Sequence, residues 1–267
     1  MKAEEIKWWG LTDIGRYRKS NEDAFLALAL DGFQVQYLGK VGNAPLEDHD
    51  YIFAVSDGMG GANAGEFASR IAVEKLTYLF PHKREPRTDE ECQELLKQLF
   101  NEVHEEILKF SKAYDECQGM GATLSLCHFR DGRLDYCHVG DSRIYQIRDG
   151  EISQLTQDHT HVGWLHKEGK LNEREVRNHP GRNALQAVLG GKTQFLKPET
   201  GSIQYECGDS YLLCTDGVVE GLWDRGLLRN ISAPLPNDSR NPAERVVMEA
   251  VAEDGRDNST AVVVRII

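Results

Sequence analysis

The chain has 267 residues, 40% hydrophobic and 28% charged, values typical of a globular protein whose core needs no covalent staples. Its net charge of −12 makes nucleic acid a poor partner, because an acidic chain repels a polyanion. Any phosphate that it binds must therefore meet a local cation, such as a metal ion or a well-placed arginine.

No run of residues approaches the roughly 20 apolar positions that a membrane-spanning helix needs. The N-terminal residues MKAEEIKWWG carry acids where a signal peptide would be basic. The cysteines form no CxxC pair, none has zinc-ligand spacing to a histidine, and most lie in apolar runs as small core residues. We therefore predict a soluble protein in a reducing, cytoplasmic compartment.

The predicted elements begin with a strand at residues 24–30, a polar stretch, and a short apolar run at 51–56 that is typical of a buried strand. The glycine-rich turn DGMGGANAG ends that run. Helical periodicity follows over residues 66–80 and 88–111, where Thr88 is the predicted N-cap.

After residue 121 the hydrophobic period changes to two, and the Asp-Gly pairs at 131–132 and 149–150 predict hairpin turns. Residues 158–190 lose this pattern and predict short helices with loops. The predicted elements of this half are strands at 122–129, 133–139, 142–148, 202–205, 210–214 and 260–267 and a helix at 242–252. Antiparallel runs with separate helices predict an α+β fold, most simply two stacked sheets with helices outside.

Five aspartates stand at the ends of apolar runs, most of them beside a glycine: Asp23, Asp57, Asp141, Asp216 and Asp257. Glycine at such a place permits a sharp bend or the approach of a carbonyl to a ligand. A single Asp-Gly pair is most simply a turn, but several carboxylates buried together need a cation to neutralise them. Oxygen ligands without histidine or cysteine favour Mg²⁺ or Mn²⁺. Two such ions about 3.5 to 4 Å apart can activate a bridging water for attack on a phosphoryl group.

The chain resembles a bacterial-type member of the type 2C (PPM) family of metal-dependent serine/threonine protein phosphatases. The matching stretches occur in the family's order from about residue 10 onward: GRYRKSNEDA, FAVSDGMGG, AGEFAS, GMGATL, HVGDSRIY, LTQDHT, NHPGRNALQAVLG, LLCTDGV and GRDNSTAVVV. The resemblance implies a four-layer αββα sandwich of two antiparallel sheets flanked by helices. It also implies a single domain over 1–267 with a small flap subdomain at about 160–189, called the flap below.

The resemblance further implies the metal ligands. Asp57 would bridge two ions, Mn²⁺ or Mg²⁺, and the Gly58 carbonyl would bind one of them. Asp216 and Asp257 would complete the coordination of the other ion.

By the same resemblance, Glu22 and Asp23 would hold metal-bound waters or act as outer ligands, and Asp141 would bind a third ion together with Asp216. Arg18 matches the family's phosphate-binding arginine, a catalytic and substrate-binding role that suits its planar fork. Its competing interpretation is a solvated surface arginine.

The implied activity is hydrolysis of phosphoserine and phosphothreonine on proteins by a metal-bridging water, without a phosphoenzyme. Such an enzyme would act on phosphorylated proteins and oppose Hanks-type serine/threonine kinases. We expect a monomer with no nucleic-acid or membrane partner.

Two features leave alternatives open. Ser56, Cys214 and Thr215 lie near the predicted site and would permit covalent catalysis, although Cys214 does not begin a CxxxxxR phosphate loop and neither Asp57 nor Asp216 begins a DxDx motif. Ala62 stands where many members carry a histidine that is proposed to protonate the leaving group. His159 is the best substitute by motif, against a purely structural role.

The alternative function is an inactive pseudophosphatase that binds a phosphoprotein as a regulator. Ala62 keeps it open, while the intact acids Asp57, Asp216 and Asp257 oppose it. A phosphatase dedicated to anti-anti-sigma regulators is a third reading on the same core. Trp164 in the flap is either an exposed substrate contact or part of a small flap core.

Overall fold

The computed structural model describes residues 3–32, 34–47, 49–60, 64–80, 88–193, 195–232 and 238–267. The strands of these residues are β1 (Glu5–Asp13), β2 (Asp23–Asp31), β3 (Gln34–Tyr37), β4 (Val41–Pro45), β5 (Asp50–Met59), β6 (Gly121–Ala122), β7 (Leu124–Arg130), β8 (Arg133–Val139), β9 (Arg143–Arg148), β10 (Glu151–Gln154), β11 (Leu189–Gly190), β12 (Glu199–Gln204), β13 (Ser210–Cys214) and β14 (Ser259–Ile266). The α-helices are α1 (Ala64–Leu79), α2 (Asp89–Ala113), α3 (His161–Lys167), α4 (Glu173–Asn178), α5 (Asp216–Gly221), α6 (Asp224–Ser232) and α7 (Pro242–Glu253).

The strands form two antiparallel sheets. The six-stranded sheet has the order β10-β9-β13-β14-β1-β4. The eight-stranded sheet has the order β11-β6-β5-β7-β8-β12, and β2 joins it by pairing with β5 and β3. Strands β6 and β7 are interrupted only at Thr123, which lies between them in sequence.

Three hydrophobic clusters define the layers. Phe53 and Phe129 of one sheet and Tyr211 and Val262 of the other are buried in the cluster between the sheets. A second cluster lies between the eight-stranded sheet and helices α1 and α2, and a third lies between the six-stranded sheet and helices α5 to α7. The predicted four-layer αββα sandwich is therefore confirmed, and helices α3 and α4 occupy the flap.

Some predictions of local structure are confirmed and others are wrong. Asp131 and Asp149 have φ of 33° and 53°, and each is followed by a glycine of positive φ, as expected for hairpin turns. Thr88 caps α2 by accepting a hydrogen bond from the amide of Glu91. The expectation that the first strand begins at residue 24 was wrong, because β1 precedes it. Strands β3, β4, β10 and β11 and helices α5 and α6 were not predicted.

The cysteines are all free thiols, and five of them are buried, in keeping with their prediction as core residues. Over the described ranges, none of the helices has the length and apolar character needed to cross a membrane.

Candidate metal centre

The predicted acids converge at one end of the sandwich, and both sheets contribute to the set. In the eight-stranded sheet, Asp57 near the end of β5 faces its cross-strand partner Asp23 at the start of β2, and Asp141 follows β8. In the six-stranded sheet, Asp216 follows β13 as the first residue of α5, and Asp257 lies just before β14. The site thus spans the junction between the sheets.

Burial and mutual repulsion make these carboxylates hard to ionise together. Burial raises the pKa of Asp57 well above its ordinary value, and the charges of the other four aspartates raise it further. Asp216 shows the same behaviour, and burial raises the pKa of Asp23 and of Asp141 to about 7. A set of this kind needs a cation to be fully ionised at neutral pH.

Two buried oxygens in the set accept no hydrogen bond from the described part of the chain, namely Oδ1 of Asp23 and Oδ1 of Asp216. The other oxygen of Asp23 accepts hydrogen bonds from the hydroxyls of Thr215 and Thr260 at 2.8 and 2.7 Å. Because an unpaired buried carboxylate oxygen is unfavourable, these atoms fit ligation of a hard cation.

Gly58 and Gly65 bring backbone oxygen into the same site. A Cβ at Gly58 would lie 1.9 Å from the Gly65 carbonyl oxygen, so no side chain fits between β5 and α1. A Cβ at Gly65 would lie 2.6 Å from Oε1 of Glu22 and 2.8 Å from the Gly58 carbonyl oxygen. An oxygen of the Glu22 carboxylate and the Gly58 carbonyl oxygen therefore both lie close to the Cα of Gly65.

Thr123 connects Asp57 to the loop that carries Asp141. Its hydroxyl accepts a hydrogen bond from the Asp57 amide at 2.9 Å, and its own amide donates to the Asp57 carbonyl at 2.8 Å. The hydroxyls of Thr123 and Ser142 lie 2.7 Å apart. Sequence reasoning quoted Thr123 within GMGATL but assigned it no role.

Arg18 lies at the rim of the site on the loop between β1 and β2. Its Nη2 donates to Oδ2 of Asp257 at 2.5 Å, and its Nη1 is 3.8 Å from Oε2 of Glu22. The side chain is 45% exposed. The surface interpretation of Arg18 is thereby weakened, since the guanidinium contacts two acids of the set while keeping a face open to solvent.

Asn258 holds this loop in place, and sequence reasoning missed it. Its buried amide nitrogen donates to the carbonyls of Ile14 and Ser20 at 2.9 and 3.1 Å, and its side-chain oxygen accepts from the Glu22 amide at 2.8 Å. The only signal in the sequence is its position beside Asp257.

The three side chains considered for covalent catalysis are fully buried, and two of them are hydrogen-bonded. Ser56 donates to the Thr123 carbonyl at 2.6 Å, and Thr215 donates to Asp23. Burial raises the pKa of the Cys214 thiol to about 12, so this thiol is protonated at neutral pH.

His159 has a structural environment rather than that of a proton donor. Its amide donates to the Gly140 carbonyl at 2.7 Å, its Nδ1 accepts from the Gly140 amide at 3.3 Å, and its ring lies 4.8 Å from that of His138. Burial lowers the pKa of His159, which keeps the ring neutral. Ala62, where the missing histidine would stand, lies outside the described residues.

A groove of about 300 Å³ runs between the flap and α5 and is lined by Asp141 and Asp216 among others. Arg182 and Asn183 both donate to Oε1 of Glu220 at 3.1 Å, which joins the flap to α5. Trp164 is 42% exposed, with Lys170 over its ring at 4.2 Å, so it contributes to the flap surface rather than to a closed core.

Comparison with known proteins gives consistent matches. The family described as Protein phosphatase 2C matches residues 40–250. The serine/threonine protein phosphatase PstP of Mycobacterium tuberculosis is 34% identical over 265 residues, which cover 98% of this chain and 45% of that protein. The serine/threonine phosphatase stp of Listeria monocytogenes is 29% identical over 95% of this chain and 93% of its own length. The chain thus spans less than half of the first of these relatives.

The solved catalytic domain of PstP in complex with 2 manganese ions has a similar structure. It superposes with a TM-score of 0.77 at 28% identity and covers 99% of both chains.

Proposed function

The chain belongs to the protein phosphatase 2C family, and from that premise we propose that it is a metal-dependent phosphatase acting on phosphoserine and phosphothreonine in proteins. The observation that carries this proposal is the set of buried carboxylates drawn from both sheets, with unpaired oxygens on Asp23 and Asp216. Ion pairing with arginines does not explain this set of buried carboxylates. Among the described residues, Arg18 is the one arginine whose guanidinium is hydrogen-bonded to an acid of the set.

We propose that Asp57, the Gly58 carbonyl, Asp216 and Asp257 hold two divalent cations, Mn²⁺ or Mg²⁺. Bound cations would supply Lewis acidity toward phosphoryl oxygens and lower the pKa of water at the site. The PstP catalytic domain with its 2 manganese ions supports this assignment by analogy.

The remaining acids have supporting roles in this proposal. Glu22 and Asp23 act as outer ligands, in keeping with the anchored second oxygen of Asp23 and the position of a Glu22 carboxylate oxygen close to Gly65. Asp141 would bind a third cation with Asp216, since both residues line the groove beside the flap.

Arg18 is proposed to bind the phosphate of the substrate. Its fork suits two phosphate oxygens, and its position beside Asp257 brings the guanidinium to the edge of the acid set. Asn258 is its positioning residue, because it fixes both ends of the Arg18 loop.

We propose that water attacks the phosphorus atom directly. The burial of Ser56, Cys214 and Thr215 supports this, because none of them presents a free nucleophile to a substrate. The described residues offer no observation that favours the pseudophosphatase alternative.

The same proposal has five further parts. The substrates are phosphorylated proteins, the opposing enzymes are Hanks-type kinases, and the protein is a monomer. Residues 1–267 form a single domain, and the location is cytoplasmic. The names of the relatives support the first of these, and the others follow from the sequence pattern and family resemblance.

The test is hydrolysis of a phosphothreonine peptide with Mn²⁺, Mg²⁺ or EDTA. We expect activity with either cation, none in EDTA, and a loss of at least about 10²-fold in Asp57→Asn, the scale of losing one preorganised electrostatic group. Asp149→Asn is the matched control, because Asp149 occupies a hairpin turn with φ of 53° that asparagine also adopts. Activity that survives both EDTA and Asp57→Asn would overturn the proposal.

A further inference from the structure

A second cluster of ligand-type side chains lies at the other end of the eight-stranded sheet. Cys92 in the first turn of α2, His128 on β7 and Asp135 on β8 each contribute a ligand atom, and these atoms lie within 4.8 Å of one another. His128 pairs with Ile52 on β5, five residues before Asp57. At about 3.4 Å per residue, this places the cluster about 17 Å from the candidate metal centre.

The distance between Cys92 and His128 matches a metal-bound pair. Sγ of Cys92 lies 3.5 Å from Nδ1 of His128. Zinc bonds of about 2.3 Å to sulfur and 2.0 to 2.1 Å to nitrogen, set at a tetrahedral angle, also separate the two atoms by about 3.5 Å. The separation of the two atoms thus equals that of a metal-bound pair, and without a cation the same distance is a thiol–imidazole hydrogen bond.

His128 is oriented for ligation through Nδ1. Its Nε2 lies 2.8 Å from Oδ2 of Asp50 and donates a hydrogen bond to that carboxylate, which leaves Nδ1 as the ring nitrogen that can bind a metal. The lone pair of Nδ1 then points toward Cys92. A carboxylate behind a histidine in this manner is the usual support of a metal-bound imidazole.

Asp135 supplies an independent observation. It is fully buried, and its Oδ2 accepts a hydrogen bond from Nε of Arg130 at 2.7 Å, whereas its Oδ1 has no partner among the described residues. Arg130 is in turn held by Asp89 at 3.0 Å. A buried carboxylate oxygen without a partner is unfavourable, and a cation at the cluster would satisfy it.

We propose that Cys92, His128 and Asp135 form a binding site for one zinc-type cation, distinct from the all-oxygen centre, that fastens α2 to strands β7 and β8. Sulfur and imidazole ligands select zinc rather than Mg²⁺ or Mn²⁺. The thiolate and the carboxylate together neutralise the two charges of the ion. Arg130 keeps its contact with Asp89, a carboxylate that it shares with Arg133.

Binding exchanges one proton for one metal bond. Formation of the sulfur–metal bond breaks the S–H bond of Cys92 and releases its proton to solvent. Spacing along the chain could not have predicted this site, because its ligands come from three elements. Cys92 and His128 are 36 residues apart in sequence.

Cobalt(II) is the appropriate probe, because a thiolate bound to Co²⁺ gives a near-ultraviolet charge-transfer band that oxygen ligands do not give. The full chain is produced in cells grown with added Co²⁺, and the purified protein is examined by absorption spectroscopy and metal analysis. We expect the band in the wild type, its displacement by Zn²⁺, and its loss in Cys92→Ser. Cys207→Ser, on a partly exposed thiol outside the cluster, is the matched control and should retain the band.

Asp50→Asn and Asp135→Asn provide a second test of the site in case the Cys92→Ser variant does not fold. Loss of the carboxylate behind His128 is expected to weaken Co²⁺ binding about 10- to 100-fold. A wild type that contains no thiolate–cobalt band, or a band that persists in Cys92→Ser, would overturn the proposal and leave the cluster as a hydrogen-bonded core network. Neither readout depends on phosphatase activity, so failure of the proposed function would not affect the result.

Discussion

At the scale of residues, the candidate centre depends on neutral side chains as much as on its acids. Thr123 fixes the backbone of Asp57 from both sides, and Asn258 ties the Arg18 loop to the start of β14. The acids are visible in the sequence because each adjoins an apolar run. Thr123 and Asn258 are not, because their roles arise from contacts between strands that are distant along the chain.

Arg18 gives the prediction that belongs to this scale. Replacing Arg18 by alanine removes a charge-assisted contact of about 1.5 to 3 kcal/mol, so we expect kcat/KM for a phosphothreonine peptide to fall about 10- to 150-fold. Lysine at this position should restore only part of the loss, because it keeps the charge but not the fork. Steady-state kinetics measure both effects.

Lys19→Ala is the matched control for Arg18. Lys19 lies next to Arg18 on the same loop and is exposed, so it tests whether any positive charge on that loop suffices. Equal losses in the two alanine variants would contradict a specific phosphate contact by Arg18.

At the scale of elements, the sequence predicted those turns and helix ends that depend on a few neighbouring residues. The hairpin turns at Asp131 and Asp149 and the N-cap at Thr88 follow from backbone preferences and capping chemistry that act over a few residues. Helix α5 was missed because it is short and is defined by its packing. A Cβ at Gly217 would lie 2.1 Å from the carbonyl oxygen of Asn258, a contact that only the folded chain creates.

Strand β1 was missed for a different reason. Its buried positions alternate through Ile6, Trp8 and Gly10, but charged and glycine residues interrupt the apolar signal. Its place in the sheet, between β14 and β4, becomes evident only from its pairing with both strands. Tertiary pairing rather than local propensity decides such a strand.

The junction of the flap with α5 supplies a prediction about elements. Glu220 accepts hydrogen bonds from Arg182 and Asn183, so Glu220→Ala should release the C-terminal part of the flap from α5. We expect a loss of about 1 kcal/mol locally, seen as roughly fivefold faster amide hydrogen exchange in residues 179–189. Glu173→Ala, on an acid whose contact with Arg177 is 3.9 Å long, is the control and should leave exchange there unchanged.

Hydrogen exchange that is the same in Glu220→Ala and wild type would show that other contacts hold the flap. The contacts of Arg177 with the Glu220 carbonyl and with the ring of Trp223 are the obvious candidates, since neither involves the Glu220 side chain.

At the scale of the whole molecule, the acid set sits where the two sheets meet. Asp23, Asp57 and Asp141 come from one sheet, and Asp216 and Asp257 come from the elements of the other. Repulsion among them without cations therefore pushes the two halves of the sandwich apart, and cations would hold them together. Metal content and global stability should consequently be coupled through the sheet–sheet interface.

This coupling has a definite pH dependence. The pKa values of Asp23 and Asp141 are about 7 in the fold and about 3.8 when unfolded, and those of Asp57 and Asp216 are also raised. The metal-free folded state thus binds more protons than the unfolded state, so its stability falls as pH rises from about 4 through 7. The effect of each of Asp23 and Asp141 is on the order of a few kcal/mol.

The difference in Tm between protein in Mn²⁺ and protein in EDTA isolates this effect, because buried neutral histidines such as His138 contribute equally to both samples. We expect the difference to widen by about 5 °C or more between pH 5 and pH 8. Asp57→Asn removes one of the repelling charges, so it should raise the Tm of the metal-free protein at pH 8 while lowering its response to Mn²⁺. Thermal unfolding followed by circular dichroism measures both. A difference in Tm that stays constant with pH, or an Asp57→Asn variant less stable than wild type in EDTA at pH 8, would contradict electrostatic coupling of the two sheets.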